Sequence, residues 1–154
     1  MSRVKTNFKQ SVALFNKLAS PVYQNKVGQM IEVHAKRMIA SGQSPVRKEG
    51  RYTRYKNEKN YPGDLKPRRP VNLNLTGAML YHLGYFIKNR TLFFGFGPGT
   101  PPDVLTRAQV HQNGTDNIVA RPMVPTGGRQ FAVSIQKIIR DVYSAALRDI
   151  LRRI

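Results

Sequence analysis

Three histidines, eight acidic residues and no cysteine are the groups from which this chain could build a catalytic or metal site. Without cysteine, disulfides, thiolate zinc sites and cysteine nucleophiles are excluded. His34 falls on an apolar helical face, where we expect a core or interface role, and His82 lies in an aromatic, strand-like segment. His111 is followed closely by Asp116, but no serine nucleophile motif accompanies this pair. We therefore expect no catalytic residue, no metal site and no enzyme activity.

Two further kinds of binding, to a cofactor and to a membrane, also lack support in the sequence. The glycine-rich stretch at 95–102 resembles a phosphate-binding loop only superficially. No Gly-Lys-Ser/Thr follows it, and its prolines remove backbone amide donors. The longest window without charge, 70–87, contains Asn, Thr, His, Gly and Pro. We therefore expect no cofactor, no membrane partner, and a soluble protein used without export.

The strongest compositional signal is basic charge. The chain has 154 residues and carries 26 Lys and Arg against 8 Asp and Glu, a net charge of +18. A surplus this large repels itself in a compact monomer and usually implies a polyanionic partner or an assembly. Residues 42–70 carry 9 basic and 3 acidic side chains, whereas residues 71–128 carry only 4 and 2. The excess therefore lies on residues 1–41, on the 42–70 segment and on residues 129–154.

Residues 42–70 are predicted to form a long basic arm, because glycines and prolines recur throughout the segment and break regular structure. Its basic side chains are interleaved with tyrosines. Three interpretations are open: gripping of phosphates with stacking on bases, docking on an acidic neighbour through aromatic anchors, and a solvated loop without a role. We favour docking. The candidate interface residues are Arg47, Arg51, Tyr52, Arg54, Tyr55, Tyr61, Arg68 and Arg69.

Hydrophobic spacing predicts helices at both ends of the chain. Residues 1–41 read as two helices, with Ser20 as N-cap and Pro21 as first residue of the second helix, which ends at Gly42. Residues 129–154 form the clearest amphipathic helix. The apolar stripes expected in the core are Phe8, Val12, Phe15 and Leu18; Val27, Met30, Ile31, His34, Met38 and Ile39; and Phe131, Ile135, Ile138, Val142, Ala145 or Ala146, Ile150 and Leu151.

The central residues 71–128 are predicted to be rich in β-strand. Apolar and polar residues alternate over 71–76, and strand-like composition continues through 78–87. Aromatic and β-branched residues then flank a short turn at 88–90, which is a hairpin signature. A short helix is predicted over 103–109, with a turn at 111–115. Residues 118–125 contain two prolines, which favours an edge strand or a tight extended passage.

Three sequence elements occur in a characteristic order: Leu-Thr-Gly-Ala-Met-Leu at 75–80, Ala-Gln-Val-His-Gln-Asn-Gly at 108–114, and Val-Ala-Arg-Pro-Met-Val-Pro at 119–125. With these elements the chain resembles the tail-completion, or virion morphogenesis, family of tailed bacteriophages, minor proteins of the head–tail neck. The resemblance covers about residues 70–154. Met123 stands where an aromatic residue is common. The matching residues are Thr76, Gly77, Ala108, His111, Gly114, Ala120, Arg121 and Pro122.

Physical chemistry assigns these matching residues to building a fold or an interface. Thr76-Gly77 suits a turn that needs a residue without Cβ. His111 can hydrogen-bond backbone or a neighbouring strand. Arg121, beside Pro122, offers a rigid planar donor to a carboxylate or to backbone carbonyls. None of these roles requires a substrate.

The resemblance implies a small α+β protein of one domain, in which an antiparallel β-sheet packs against the N-terminal and C-terminal helices. It implies a homo-oligomeric ring, a hexamer, between the phage connector or head-closure protein and the tail-tube protein. The ring would be part of the virion neck, assembled in the host cytoplasm, with genomic DNA passing through its lumen. The alternative from charge alone is a nucleic-acid-binding protein, such as a ribosomal protein, that contacts RNA or DNA through the basic arm.

Overall fold

The computed structural model describes residues 16–53 and 77–152. Within these ranges the fold is α+β, as the resemblance implies: helices flank a two-stranded antiparallel sheet. In chain order the elements are α1 (Pro21–Ala40), α2 (Ala78–His82), β1 (Leu83–Lys88), β2 (Thr91–Phe96), α3 (Pro102–Asn113) and α4 (Val133–Leu151). The first predicted helix, over residues 8–18, falls almost wholly outside the described residues.

Helix α1 begins and ends at the residues that the sequence predicts. Ser20 is extended, Pro21 is the first helical residue, and Gly42 has a φ of 77°, a left-handed value that glycine adopts without strain. The predicted buried face is partly wrong. Met30 is exposed and His34 only half-buried, whereas Gln24 and Gly28 are buried.

The different face of α1 has a physical reason, because the helix packs against α4 and also against the β-hairpin. The ring of Tyr85 lies directly over Gly28. Gln24 donates a side-chain hydrogen bond to the backbone carbonyl of Arg90 in the hairpin turn. A small residue and an amide are therefore buried at positions that a hydrophobic pattern does not identify.

The β-hairpin follows the prediction closely. The register pairs Leu83 with Phe96 and Lys88 with Thr91, so the loop contains only Asn89 and Arg90. Both loop residues have positive φ, of 50° and 60°, as expected for a two-residue turn that matches the twist of the strands. Phe86 and Phe93 stand opposite each other, with ring centroids 5.2 Å apart and nearly parallel planes.

Helix α4 is shorter than predicted. It begins at Val133 rather than at residue 129, because the backbone up to Ala132 bonds instead to the 45–47 segment. Phe131 lies opposite Val46 in an isolated antiparallel bridge. The buried residues of the helix are Ile135, Val142, Ala146 and Ile150, whereas Leu151, predicted to be buried, is exposed.

Residues 71–128 contain less strand than predicted. Residues 78–82 form α2 instead of a strand, so His82 is helical, and α3 continues through His111 to Asn113, where the sequence indicates a turn. Residues 118–125 form no strand; they are the tight passage of the two predicted options. In the described part of this segment, strand is confined to the hairpin.

The core consists of two buried clusters. One joins α2, β1 and α3 with the end of α1, and the other joins α1 with α4. Phe94 on β2 packs against both clusters and meets Phe131 edge-on. The first cluster comprises Ile39, Met79, Leu83, Val104, Ala108 and Met123, and the second comprises Val27, Ile31, Ala35, Ile135 and Val142.

Candidate functional site

The motif residues of the second and third sequence elements meet at the C-terminal end of α3. Gly114 follows the helix with a φ of 75°, and a Cβ built there would lie 2.8 Å from Ala120 N and from Ile118 O. Only glycine fits this close approach. The backbone N–H of Arg121 then donates to the carbonyl of His111 over 2.6 Å. These contacts turn the chain back along the end of α3.

Among the described residues, Arg121 is the largest completely buried side chain, with 1% of its surface exposed. Its Nε and Nη2 donate to the carbonyl oxygen of Thr53 at 3.1 and 3.0 Å, and Nη1 donates to the carbonyl of Val119 at 3.2 Å. The planar guanidinium thus binds backbone carbonyls, one of the two kinds of partner predicted for it. It ties the 118–125 passage to the end of the 42–53 segment.

The carbonyl of Pro122 receives two further hydrogen bonds from that segment. Ser44 Oγ donates over 2.6 Å and the Tyr52 hydroxyl over 3.1 Å. Burial raises the pKa of Tyr52, so its hydroxyl stays protonated and remains a donor. Tyr52, predicted to be an arm residue that docks on a neighbour, therefore makes these contacts within its own chain.

Gln112 belongs to the same arrangement, although no sequence signal singles it out. Its Oε1 accepts from the backbone N–H groups of Met123 and Val124 at 2.8 and 3.1 Å, and its Nε2 donates to the carbonyl of Val124 at 2.7 Å. One side-chain amide thus replaces the ladder that a partner strand would supply. This explains how residues 118–125 stay extended without joining the sheet.

His111 is a half-buried titratable group of the same region. Its Nδ1 is buried and has no hydrogen-bond partner in the described structure. Burial lowers the pKa of His111, and the positive charge of Arg121 lowers it further. Among the described residues no three His, Asp or Glu side chains come close enough to bind a metal ion. The arrangement can hold backbone segments together, and it presents no nucleophile–base pair.

The rest of the predicted arm divides into two parts. Residues 42–53 are folded: Ala132 N donates to Pro45 O over 2.7 Å, and Arg47 N donates to Gln130 O over 2.8 Å. Arg47 and Arg51 are exposed at the surface of this folded part. The remaining arm candidates, together with Thr76, lie outside the described residues: Arg54, Tyr55, Tyr61, Arg68 and Arg69.

Two surface grooves contain the exposed hydrophobic side chains of Met30, Val33 and Val133. The first, the turn groove, lies between the 43–51 turn and the start of α4, with Val46 and Val133 at its floor and Arg47, Lys48 and Arg51 around it. The second, the helix groove, lies where α1 meets α4, and it is lined by Met30, Val33 and Ile138 with His34 and Arg37.

Neither the length and hydrophobicity of the described helices nor similarity to known proteins identifies a binding partner. None of the helices in residues 16–53 and 77–152 combines the length and the apolar character needed to cross a bilayer. No protein-family model, curated protein or solved structure matches the chain. The function must therefore be argued from the residues and contacts above.

Proposed function

We propose that the chain is a structural protein of the phage virion: a tail-completion or tail-terminator-like ring subunit of the head–tail neck. The observation that carries this proposal is the junction of His111, Gly114 and Arg121 with Ala120 and Pro122. These family-motif residues come from two of the three sequence elements, at 108–114 and 119–125, and all contribute to one tie between segments of the chain. Motif residues that stabilise the fold are what we expect in a protein whose function is structural assembly.

The surface supports an assembly role in a second way. Several large hydrophobic side chains are exposed, among them Val33 at 58%, Val133 at 62% and Tyr81 at 81%. The described residues also carry 16 basic and 6 acidic side chains, a charge excess that a lone compact chain does not relieve. Contacts with neighbouring proteins of the neck would cover the apolar residues and dilute the charge.

The proposed partners follow from the resemblance. Copies of the chain would form a closed ring, a hexamer, through two different complementary patches, as rotation symmetry requires. One side of the ring would meet the connector or head-closure protein and the other the tail-tube protein. Genomic DNA would pass through the lumen of the virion neck, which makes nucleic acid a passing contact rather than a specific ligand.

The proposal is tested by sedimentation velocity on the purified full chain, combined with binding to duplex DNA and to structured RNA over a series of salt concentrations. We expect an oligomer of one size that persists as salt rises, with only weak and unspecific nucleic-acid binding. A monomer that binds one RNA tightly, with an affinity that falls steeply with salt because counterions are released, would identify a nucleic-acid-binding protein instead.

A further inference from the structure

The turn groove and the helix groove lie side by side along α1. Met38 lines the first groove, and His34, one helical turn earlier on the same side of the helix, lines the second. On α4, Val133 lines the first groove and Ile138 the second, so the order along α4 matches the order along α1. The two grooves therefore form one elongated surface, which we call the α1/α4 surface.

The floor of the α1/α4 surface is apolar and in part strongly exposed. Met30 is 41% exposed and Val33 58%, and Val133 at the other end is 62% exposed. Helical side chains spaced in this way on two packed helices form a shallow trough that fits the apolar face of a third helix.

The rim of this surface is basic. Arg37 lines the helix groove, and Arg47, Lys48 and Arg51 line the turn groove, whereas no described Asp or Glu lines either groove. Lys48 has a φ of 70° in the tight turn, and its side chain is exposed. A partner that covers the trough must bring negative charge to its edges.

A second copy of this chain does not meet that requirement. Carboxylates of this chain are already paired inside the fold, Glu32 with Lys36, Asp103 with Arg107 and Glu49 with Arg129. Two copies meeting through the same α1/α4 surface would place Arg37 and Arg51 of one against the same cations of the other. Any other surface of a second copy belongs to the same basic chain, whose described residues carry 16 basic and 6 acidic side chains, so we expect the complementary charge to come from a different protein.

Nucleic acid fits the rim but not the floor. The four cations could bind phosphates, but bases stack best on large aromatic rings, and no Phe, Tyr or Trp lines either groove in the described structure. In a complex with nucleic acid, the apolar side chains of Met30, Val33 and Val133 would have no apolar contact. A protein segment satisfies both the rim and the floor.

We propose that the α1/α4 surface binds an acidic amphipathic helix of a different protein, with the apolar face of that helix on Val33 and Val133 and its carboxylates against Arg37 and Arg51. The inference rests on the proposed assembly function, since it takes a neighbouring protein of the neck as the partner. Beyond the proposed function, it specifies which surface of the subunit binds the partner and which chemical groups the partner presents.

The test measures binding of a fluorescent synthetic peptide to the full chain by anisotropy. The peptide has leucine at helical i, i+3, i+4, i+7 spacing and glutamate on its other faces; a scrambled peptide of the same composition lacks the apolar face. We expect saturable binding of the patterned peptide and at least about tenfold weaker binding of the scrambled one.

Variants locate the site. Val33→Asp removes floor contact, and the double change Arg37→Glu with Arg51→Glu reverses the rim; each should weaken binding by about tenfold or more. Matched controls make the same chemical changes elsewhere: Leu105→Asp on α3 and Lys88→Glu on the hairpin, both at exposed positions. These should change binding by less than about twofold, with thermal unfolding showing that every variant is folded.

Several outcomes would overturn the inference. They are absence of saturable binding, equal binding of the scrambled peptide, equal weakening by the control variants, or tighter binding of a 20-base-pair duplex that the same variants abolish. Loss of the wild-type oligomer in Val33→Asp would show that a second copy covers the surface, which also overturns it. Wild-type rings without peptide binding would contradict this inference alone, whereas peptide binding by a monomer would contradict only the proposed function.

Discussion

Arg121 joins two segments that are distant in sequence, because its guanidinium donates to Thr53 and to Val119 while its own N–H bonds to His111. The sequence indicates such a donor, since arginine beside proline is both planar and held in place. It does not indicate that the side chain is buried, because burial depends on the 42–53 segment, which composition alone predicts to be an extended arm. Whether Arg121 is buried is therefore decided by long-range packing, which the local sequence does not reveal.

Replacing Arg121 tests how much this tie stabilises the fold. Arg121→Met keeps the aliphatic bulk but removes the donors and leaves buried carbonyls unsatisfied, so we expect a loss of about 3 kcal/mol in the free energy of unfolding by urea. The matched control is Arg107→Met, whose exposed pair with Asp103 is worth less than about 1 kcal/mol. Equal losses in the two variants would contradict a stabilising role for the buried guanidinium.

The environment of His111 predicts a pH dependence. Burial and the charge of Arg121 lower the pKa of His111 in the folded chain below its ordinary value of 6.5. As pH falls below that value, the unfolded chain takes up a proton that the folded chain resists, so the free energy of unfolding decreases. Above it both states are neutral, and the effect disappears.

His111→Gln removes this contribution. We expect wild-type protein to lose more stability than the variant when urea unfolding is compared at about pH 7.5 and about pH 5.5, a range in which most carboxylates stay ionised. An identical loss in wild type and variant would show that another group causes the pH dependence.

At the scale of the elements, the β-hairpin is closed by a turn whose backbone is strained at Arg90. Arg90 has a φ of 60°, a value that side chains with Cβ adopt only at a cost. Arg90→Gly should therefore raise the free energy of unfolding by about 0.5 kcal/mol, while the same change at exposed Lys88, inside β1, should lower it by about 1 kcal/mol. If both glycines destabilise equally, the left-handed turn is not a source of strain.

The packing of α1 against the hairpin depends on Gly28. A Cβ added there would lie 2.3 Å from Tyr85 Cδ2, so Gly28→Ala must displace the ring and should cost about 2 kcal/mol. In a Tyr85→Ala background the clash is absent, and the same substitution should instead stabilise the helix by up to about 1 kcal/mol. A double-mutant cycle by thermal or urea unfolding measures this reversal; an unchanged sign would contradict the close contact.

The elements that the sequence predicts well have local signals. Ser20, Pro21 and Gly42 bound α1, and the two residues between β1 and β2 suit their turn. Helix α2 has no such signal: its five residues have the apolar and aromatic composition of a strand, and its start depends on Gly77 in a left-handed conformation. For residues 118–125 the sequence leaves an edge strand and a tight passage open, because the backbone partner that decides between them is the side chain of Gln112. Tertiary contacts override local propensity at both places.

For the candidate site, the sequence indicates the residues but not the whole arrangement. Gly114, Arg121 and His111 are identified by the resemblance, whereas Ser44 and Gln112, which complete the tie, are not. Polar side chains that bond to backbone leave no spacing pattern, so only the fold reveals them.

At the scale of the whole molecule, the basic charge acts together with exposed apolar surface. The described residues place Arg37, Arg47, Lys48 and Arg51 around the exposed valines of α1 and α4. Charge of one sign around an apolar floor attracts a partner of opposite charge as it approaches. Burial of the apolar floor then stabilises the complex. That combination favours protein assembly as the function of the charge, with nucleic acid as a weaker contact.

The central claim, that the chain is a ring subunit of a phage neck, is tested most directly by electron microscopy of the purified full chain under conditions where sedimentation detects an oligomer. The proposal predicts closed rings with a central channel and a single rotational symmetry, sixfold if the resemblance extends to stoichiometry. Particles that remain single chains at every concentration, or open filaments without closure, would contradict it.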